Sequence, residues 1–247
     1  MITASIVNPR GMEWMQDPRP LFEAVLAHGI IKTDEACYIG RHEDVTKFLK
    51  TDTRKLQQDH LDGPLMRTML FQDGHDHRRL RKIVQAPFSP KGLRSIEAHV
   101  QRLCDKLFET VRRSETTDFV GSFATEFPLK VMTHVLGVSE ATEADFRKCV
   151  TEFVQSFEPQ SENAATAFNA LRDKFNALLN NPMDCTEDGL WMAIRSAHIA
   201  GELSREEAID AGCFMIVAGI ESTTNSLGSA ALLLLENPSE LAKLAND

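Results

Sequence analysis

Ser204–Glu236 reads SREEAIDAGCFMIVAGIESTTNSLGSAALLLLE and predicts one long helix that runs through the centre of the protein. Ser204 and Glu207 form a capping box, in which each side chain satisfies a free backbone N–H group at the helix start. Asn237-Pro238 ends the helix, because proline cannot continue the hydrogen-bond ladder. About thirty residues at 1.5 Å each give roughly 45 Å, which is enough to cross a whole domain.

The middle of this helix is apolar on every side from Cys213 to Ile220, so we expect protein to enclose it there. Glu221 and the hydroxyl residues that follow stop the apolar run far short of the ~20 residues that a membrane span requires. A carboxylate and several hydroxyls in a buried helix are costly unless they have partners or a task.

Two explanations for these polar residues remain open. In the first, the hydroxyls bond to carbonyls one turn earlier and Glu221 pairs with a neighbouring arginine or lysine. In the second, Glu221 and Ser222 serve a flat ligand that lies close to the backbone at Ala218-Gly219. Ala218 and Ser222 are four residues apart and therefore share a helix face, which favours the second explanation.

A second segment with visible chemistry is FQDGHDHRRLRKIVQAPFSPKGL, from 71 to 93. Between 73 and 94, six basic residues stand against two acidic ones, although the whole protein is acidic. His77 and Arg81 are four residues apart, and two such donors on one helix face suit carboxylates. A solvated basic helix face is the alternative. We do not expect His75-x-His77 to bind a metal, because residues two apart on a helix do not converge and no third ligand lies at a suitable spacing.

Together, these two segments resemble the cytochrome P450 family of haem-thiolate monooxygenases. Residues 218–225 are similar to the A-G-x-[DE]-T-[TS] motif of the family's central helix, with serine at 222 where threonine is usual. Residues 73–90 are similar to D-P-P-x-H-x-x-x-R…A-F-[ST]-P, although Gly74 replaces a proline and Pro87 precedes the phenylalanine. The matching residues of this second motif are His77, Arg81, Phe88, Ser89 and Pro90.

The resemblance implies a haem cofactor and a role for each matched residue. Ala218 and Gly219 would lie against the distal haem face, and Glu221 and Ser222 would form the acid-alcohol pair that helps deliver protons to dioxygen. His77 and Arg81 would bind the haem propionates. The resemblance also implies a small hydrophobic substrate and an acidic ferredoxin- or flavodoxin-type electron donor, which docks on the basic face at 78–94.

Helical periodicity and the resemblance predict a mainly α protein with an incomplete cytochrome P450 fold. We expect a helical bundle with a small N-terminal β-sheet remnant, and one truncated domain over 1–247. The expected segments are a strand and helix opening at 1–51 with strands at 30–33 and 36–39, a substrate-side loop at 52–72, a helical region at 73–203, the central helix at 204–236 and the start of another helix at 237–247. Helices are expected at 18–28, 42–50, 93–113, 128–138, 142–157, 164–180 and 186–196. The resemblance makes 157–168 part of a lid, and it makes Leu65, Met66, Met69 and Leu70 candidate pocket residues.

Composition is that of an ordinary soluble globular protein, with 43% hydrophobic and 26% charged residues in a chain of 247. A net charge of -9 argues against a general nucleic-acid binder, because phosphate contacts need a positive surface. The five scattered cysteines form no C-x-x-C pair and no signal peptide is visible, so we expect the reducing cytoplasm.

The sequence contains neither the family's E-x-x-R helix nor its F-x-x-G-x-x-x-C-x-G loop, whose cysteine thiolate holds the iron. We therefore expect a truncated member of the family that is inactive as written and whose intact form hydroxylates a small hydrophobic substrate. A non-catalytic binding or interaction protein of the same origin is one alternative. An unrelated helical ligand-binding or regulatory protein is another.

Overall fold

A computed structural model describes residues 17–32, 37–51, 67–113, 116–155 and 164–246. Contacts divide the chain into two compact units, 1–55 and 56–247. Each unit is described by itself, and a single domain over 1–247 stays a prediction.

The first unit consists of two helices and a hairpin. Helix α1 (Arg19–His28) ends at Gly29, whose φ of 79° suits glycine. Strands β1 (Ile30–Lys32) and β2 (Cys37–Ile39) pair antiparallel, with Ile30 opposite Ile39, and helix α2 (His42–Lys50) follows. The first strand begins at Ile30 and the second ends at Ile39, as predicted. The predicted end of the first strand and start of the second fall at 33–36, outside the described residues.

The second unit is helical throughout its described ranges, which confirms the prediction of a mainly α protein. Its helices are α3 (Gly74–Val84), α4 (Pro90–Arg112), α5 (Glu126–Leu136), α6 (Glu140–Gln155), α7 (Ala164–Asn180), α8 (Leu190–Ile199), α9 (Arg205–Glu236) and α10 (Pro238–Ala245). A π-helical turn, Val120–Ala124, precedes α5 and was not expected from the sequence. None of the helices that the structure describes is both long and apolar enough to cross a bilayer.

Helix α9 organises this unit, because α5, α7, α8 and the π-helical turn all pack against it. The core is formed by large side chains with no exposed surface, including Phe146, Phe175, Trp191 and Ile216. The Phe175 ring centroid lies 4.9 Å from that of Trp191 and 4.8 Å from that of Phe146. Gly212 of α9 passes directly over these rings, since a Cβ atom there would lie 2.6 Å from Phe175 Cδ1.

Both predicted ends of α9 are confirmed. The Ser204 side chain accepts a bond of 3.1 Å from the Glu207 N–H group, and Glu207 Oε2 accepts one of 2.8 Å from the Ser204 N–H group. The prediction that protein encloses the helix on every side from 213 to 220 is wrong at one position. Cys213, Ile216 and Ile220 are buried, but Ala218 is exposed because no described element covers its face.

The helix expected at 186–196 is shifted, because α8 begins only at Leu190. The preceding residues fold back on the end of α5 instead. Gly137, with a φ of 76°, closes α5 in the left-handed region, and its carbonyl accepts a bond of 2.7 Å from the Thr186 N–H group. Gly137 and Gly189 approach so closely that a Cβ atom at Gly189 would lie 2.7 Å from Gly137 Cα.

Candidate functional site

One face of α9 changes from packed to open along its length. Its first part borders α3, and the residues that line the small gap between the two helices include Leu80 and Val84 of α3 and Ala211, Phe214 and Met215 of α9. Ala218 and Ser222 continue the same face, one and two turns further along, and both are exposed. An open strip of small side chains therefore begins where the contact with α3 ends.

Gly219 points away from this strip toward α5. A Cβ atom at Gly219 would lie 2.5 Å from both Cγ and Sδ of Met132, which is too close for a real side chain. The missing side chain therefore allows α5 and α9 to pack tightly. This packing role could not be read from the sequence, and the cofactor-binding role predicted for Gly219 stays a prediction.

Ser222 and Glu221 fit different explanations. Ser222 Oγ donates a hydrogen bond of 3.0 Å to the Ala218 carbonyl, as expected for a hydroxyl that satisfies itself within its own helix. Half-buried Glu221 has no ion pair or hydrogen bond with any residue in the described ranges. The Thr224 hydroxyl is buried and likewise lacks a partner there. The first explanation, a hydroxyl bonded within its own helix, therefore holds for Ser222. It does not hold for Glu221, because no arginine or lysine in the described ranges pairs with it.

His77 and Arg81 lie at the edge of the buried face of α3. His77 is half-buried and three residues before buried Leu80, while Arg81 is exposed. Neither side chain has a hydrogen-bond or ion-pair partner in the part of the chain that the structure describes. No such bond joins them to Glu221 or Ser222 either. Both therefore remain available to an anionic group.

Arg79 has a different role from its basic neighbours. Its guanidinium donates to the Glu202 carbonyl at 2.8 Å and to Glu207 Oε1, and it lies 3.6 Å from Asp76 Oδ1. The hydrogen bond with Glu207 raises the pKa of Arg79 above its ordinary value. Arg79 therefore joins α3 to the start of α9 rather than contributing to an outward basic face. The basic residues of 78–94 that stay exposed are Arg78, Arg81, Lys82, Lys91 and Arg94.

Four of the five cysteines lie in surroundings that favour the neutral thiol. Burial raises the pKa of Cys104, Cys149 and Cys213, and it raises the pKa of Cys185 to about 11. A thiolate ligand of iron needs the opposite shift. Cys213 is fully buried on α9, on the side away from Ala218. The unpaired donors His77 and Arg81 of α3 therefore fit a haem with carboxylate side chains, but these four cysteines do not fit its thiolate ligand.

The absence of a metal site at His75 and His77 stays a prediction. His75 is exposed and lies 3.5 Å from Asp76. The described ranges contain no group of three or more side chains that could hold a metal ion.

The sequence reasoning missed a buried charge cluster beside the site. Asp210 on α9 has no exposed surface, accepts a bond of 2.6 Å from Arg67 Nε and pairs with Arg172 of α7. Glu206, one turn earlier, pairs with the same Arg172. The sequence signal that could have revealed this cluster is Asp210, an acidic residue inside an apolar helical stretch.

Comparison with known proteins identifies the family. Cytochrome P450 107B1 of Saccharopolyspora erythraea is 30% identical over 180 residues, which cover 72% of this chain and 44% of the relative. The vitamin D(3) 25-hydroxylase of Pseudonocardia autotrophica is 26% identical over 253 residues, 96% of this chain and 62% of the relative. The chain belongs to the cytochrome P450 family.

The solved structure of the Bacillus subtilis cytochrome P450 PksS agrees in fold. It superposes with a TM-score of 0.83 at 24% identity, covering 98% of this chain and 65% of that one. No family model matches the chain. The chain thus has the P450 fold that its sequence predicts, and it spans about half the length of the curated relatives it matches.

Proposed function

We propose that this P450 chain supplies the distal haem surface and the propionate-binding residues of a monooxygenase that hydroxylates a small hydrophobic substrate with dioxygen. The observation that carries the proposal is the face of α9 that borders α3 as far as Met215 and then opens at Ala218 and Ser222. His77 and Arg81 lie on the helix that borders this face. Two unpaired donors and an open strip of small side chains therefore belong to one pair of neighbouring helices.

Each residue has a task that follows from its surroundings. When bound through a thiolate, haem supplies the chemistry that cleaves the O–O bond. Ala218 leaves room for a flat group because its side chain is a single methyl. The Ser222 hydroxyl donates its hydrogen bond to the Ala218 carbonyl, so its oxygen can accept a hydrogen bond from water. Half-buried Glu221, without a cationic partner among the described residues, can take up and release a proton beside it.

His77 and Arg81 are proposed to hold the carboxylates of the cofactor. The Arg81 guanidinium offers paired N–H donors to a carboxylate, and His77 adds another donor one turn earlier. Their lack of protein partners in the described ranges supports this role. The exposed side chains of Arg78, Lys82, Lys91 and Arg94 are proposed to receive an acidic ferredoxin- or flavodoxin-type electron donor.

The thiolate ligand is proposed to come from outside these 247 residues, because burial keeps four of the five cysteines neutral. The five cysteines are unpaired, which supports a location in the reducing cytoplasm. Of the four candidate substrate residues, Leu65 and Met66 lie outside the described residues. Met69 packs against the core and Leu70 is 56% exposed, so Leu70 is the better placed of the described pair.

A haem titration of the 247-residue chain tests this proposal. We expect Arg81→Gln to weaken haem binding by about tenfold, since a hydrogen bond to a charged group contributes about 1.5–3 kcal/mol. Lys82→Gln is the matched control, because Lys82 is an exposed cation of the same helix, and adjacent residues of a helix point about 100° apart. Equal weakening by both substitutions would mean that Arg81 acts only through net charge.

Reduction of the haem-bound chain under carbon monoxide tests the proposed source of the thiolate. We expect no strongly red-shifted Soret band, because burial disfavours the thiolate form of Cys104, Cys149, Cys185 and Cys213. A strongly red-shifted band from the wild-type chain would show that one of its own cysteines binds the iron.

A further inference from the structure

A basic cleft lies between α4 and α5, and none of the residues that line it is assigned to haem. It has a cavity volume of about 350 Å³, and its charged or titratable side chains are His99, Arg102, Lys106, Lys130, His134 and Glu143. Residues 99, 102 and 106 share one face of α4, and 130 and 134 share one face of α5. Three permanent cations and two imidazoles therefore face one carboxylate in a protein whose net charge is -9.

The single carboxylate in the cleft is already occupied. Glu143, from α6, accepts bonds from Lys130 Nζ at 2.5 Å, Arg147 Nη2 at 3.2 Å and the Thr133 hydroxyl at 3.3 Å. It therefore neutralises Lys130, and it forms no ion pair with Arg102 or Lys106. Arg102 and Lys106 have no acidic partner within the described ranges, so the positive charge of the cleft is uncompensated there.

The two histidines are stacked in the wall of the cleft. The rings of His99 and His134 are nearly parallel, with centroids 3.7 Å apart and an angle of 5° between their planes. Two protonated imidazoles at this distance repel each other. Burial lowers the pKa of His99, and the charges of His134 and Arg102 lower it further. An anion in the cleft would attract both protonated rings, and this attraction would offset the repulsion between them.

The volume of the cleft and the residues that line it limit the class of ligand that it can bind. The cleft is larger than one inorganic anion requires and lies near the lower end of small-molecule sites, which are about 300–1,000 Å³. Leu103 and Leu107 line it beside the basic groups, so part of the ligand can be apolar. Several separate donors suit a phosphate dianion with three acceptor oxygens better than a carboxylate with two.

We propose that this cleft binds an organic phosphate monoester, with the phosphate held by Arg102, Lys106 and the His99–His134 pair and the organic part against Leu103 and Leu107. The site uses no residue assigned to haem, substrate or electron donor. It is therefore a second ligand site, and it stands independently of the proposed monooxygenase function.

Calorimetric titration of the full 247-residue chain with phenyl phosphate tests the site. We expect Arg102→Gln/Lys106→Gln to bind phenyl phosphate at least about tenfold more weakly than the wild type. Lys47→Gln/Lys50→Gln is the matched control, because it removes two exposed cations of α2, and neither of them lines the cleft. We expect this control to bind as the wild type does, inorganic phosphate to bind more weakly and phenol not to bind.

Histidine NMR on the wild-type chain gives a readout that requires no variant. Phenyl phosphate should raise the titration midpoints of His99 and His134 relative to the free protein, because the bound anion stabilises both cationic rings. His28, which is exposed on α1, serves as the internal control and should not shift. Unchanged midpoints for the pair, or an equal loss of affinity in both double variants, would overturn the proposal.

Discussion

At the scale of single residues, Glu207 serves two purposes through one carboxylate. It closes the capping box with Ser204 and accepts a hydrogen bond from Arg79. Burial alone raises the pKa of Glu207, but the bonds from Arg79 and Ser204 outweigh burial and lower it. A lowered folded-state pKa means that the charged form stabilises the fold above the ordinary glutamate pKa, and that this stability is lost as pH falls through the folded value.

We therefore expect Glu207→Gln to reduce the free energy of unfolding at neutral pH and to cost progressively less below about pH 4.5. Glutamine can still accept the Ser204 N–H bond, so the substitution removes mainly the charge. Urea unfolding between pH 3 and pH 7 measures the difference. A gap of constant size over this range would show that the charge of Glu207 contributes nothing.

The sequence was most informative about single residues where local chemistry decides the structure. Ser204 and Glu207 follow a rule that involves only four positions, so their capping box was predictable and is confirmed. Ala218 and Gly219 were predicted to present one surface to a ligand, yet only Ala218 is on the open strip. The direction of Gly219 depends on Met132, which is distant in sequence, and local spacing carries no information about it.

At the scale of elements, a buried charge cluster joins α9 to α7 and to the segment that begins at Arg67. We expect Asp210→Asn to lower the free energy of unfolding by about 3–5 kcal/mol, because it leaves the buried end of the cluster without its negative charge. Glu206→Gln is the matched control. Its side chain is 52% exposed and contacts the same Arg172, so we expect a cost below about 1 kcal/mol. If urea unfolding gave the same loss of unfolding free energy for both variants, burial would not determine how much this cluster stabilises the fold.

The helices were predictable where one face is regularly apolar, and less so where distant contacts set their ends. Apolar residues spaced three and four apart predict α4 at 93–113. In the structure this helix begins earlier, at Pro90, and ends at Arg112. The predicted start of α8 was four residues too early, because Thr186 bonds to Gly137 at the end of α5 instead of starting the helix. The π-helical turn before α5 also packs against α9, a contact that single-sequence periodicity cannot reveal.

At the scale of the whole molecule, apolar surface is concentrated at the C-terminal end of the described chain. Leu232, Leu233 and Leu235 of α9 are 57%, 58% and 72% exposed, and Leu241 and Leu244 of α10 are 40% and 61% exposed. Such a cluster differs from scattered surface leucines, because several neighbouring side chains can be buried together. At ~25 cal/mol per Å², burial of a few hundred Å² contributes several kcal/mol, which is comparable to the net stability of a domain.

We therefore expect the 247-residue chain to self-associate through this end. Leu232→Gln/Leu233→Gln/Leu235→Gln should shift the apparent mass toward the monomer in sedimentation experiments over a range of protein concentrations. Leu26→Gln/Leu70→Gln/Leu93→Gln is the matched control, since it replaces three leucines that are 65%, 56% and 49% exposed on separate elements. The control should associate as the wild type does, because it leaves the exposed leucines at the end of α9 unchanged. A wild type that is monomeric at every concentration would contradict this prediction. It would mean that the exposed leucines at the end of α9 do not drive association.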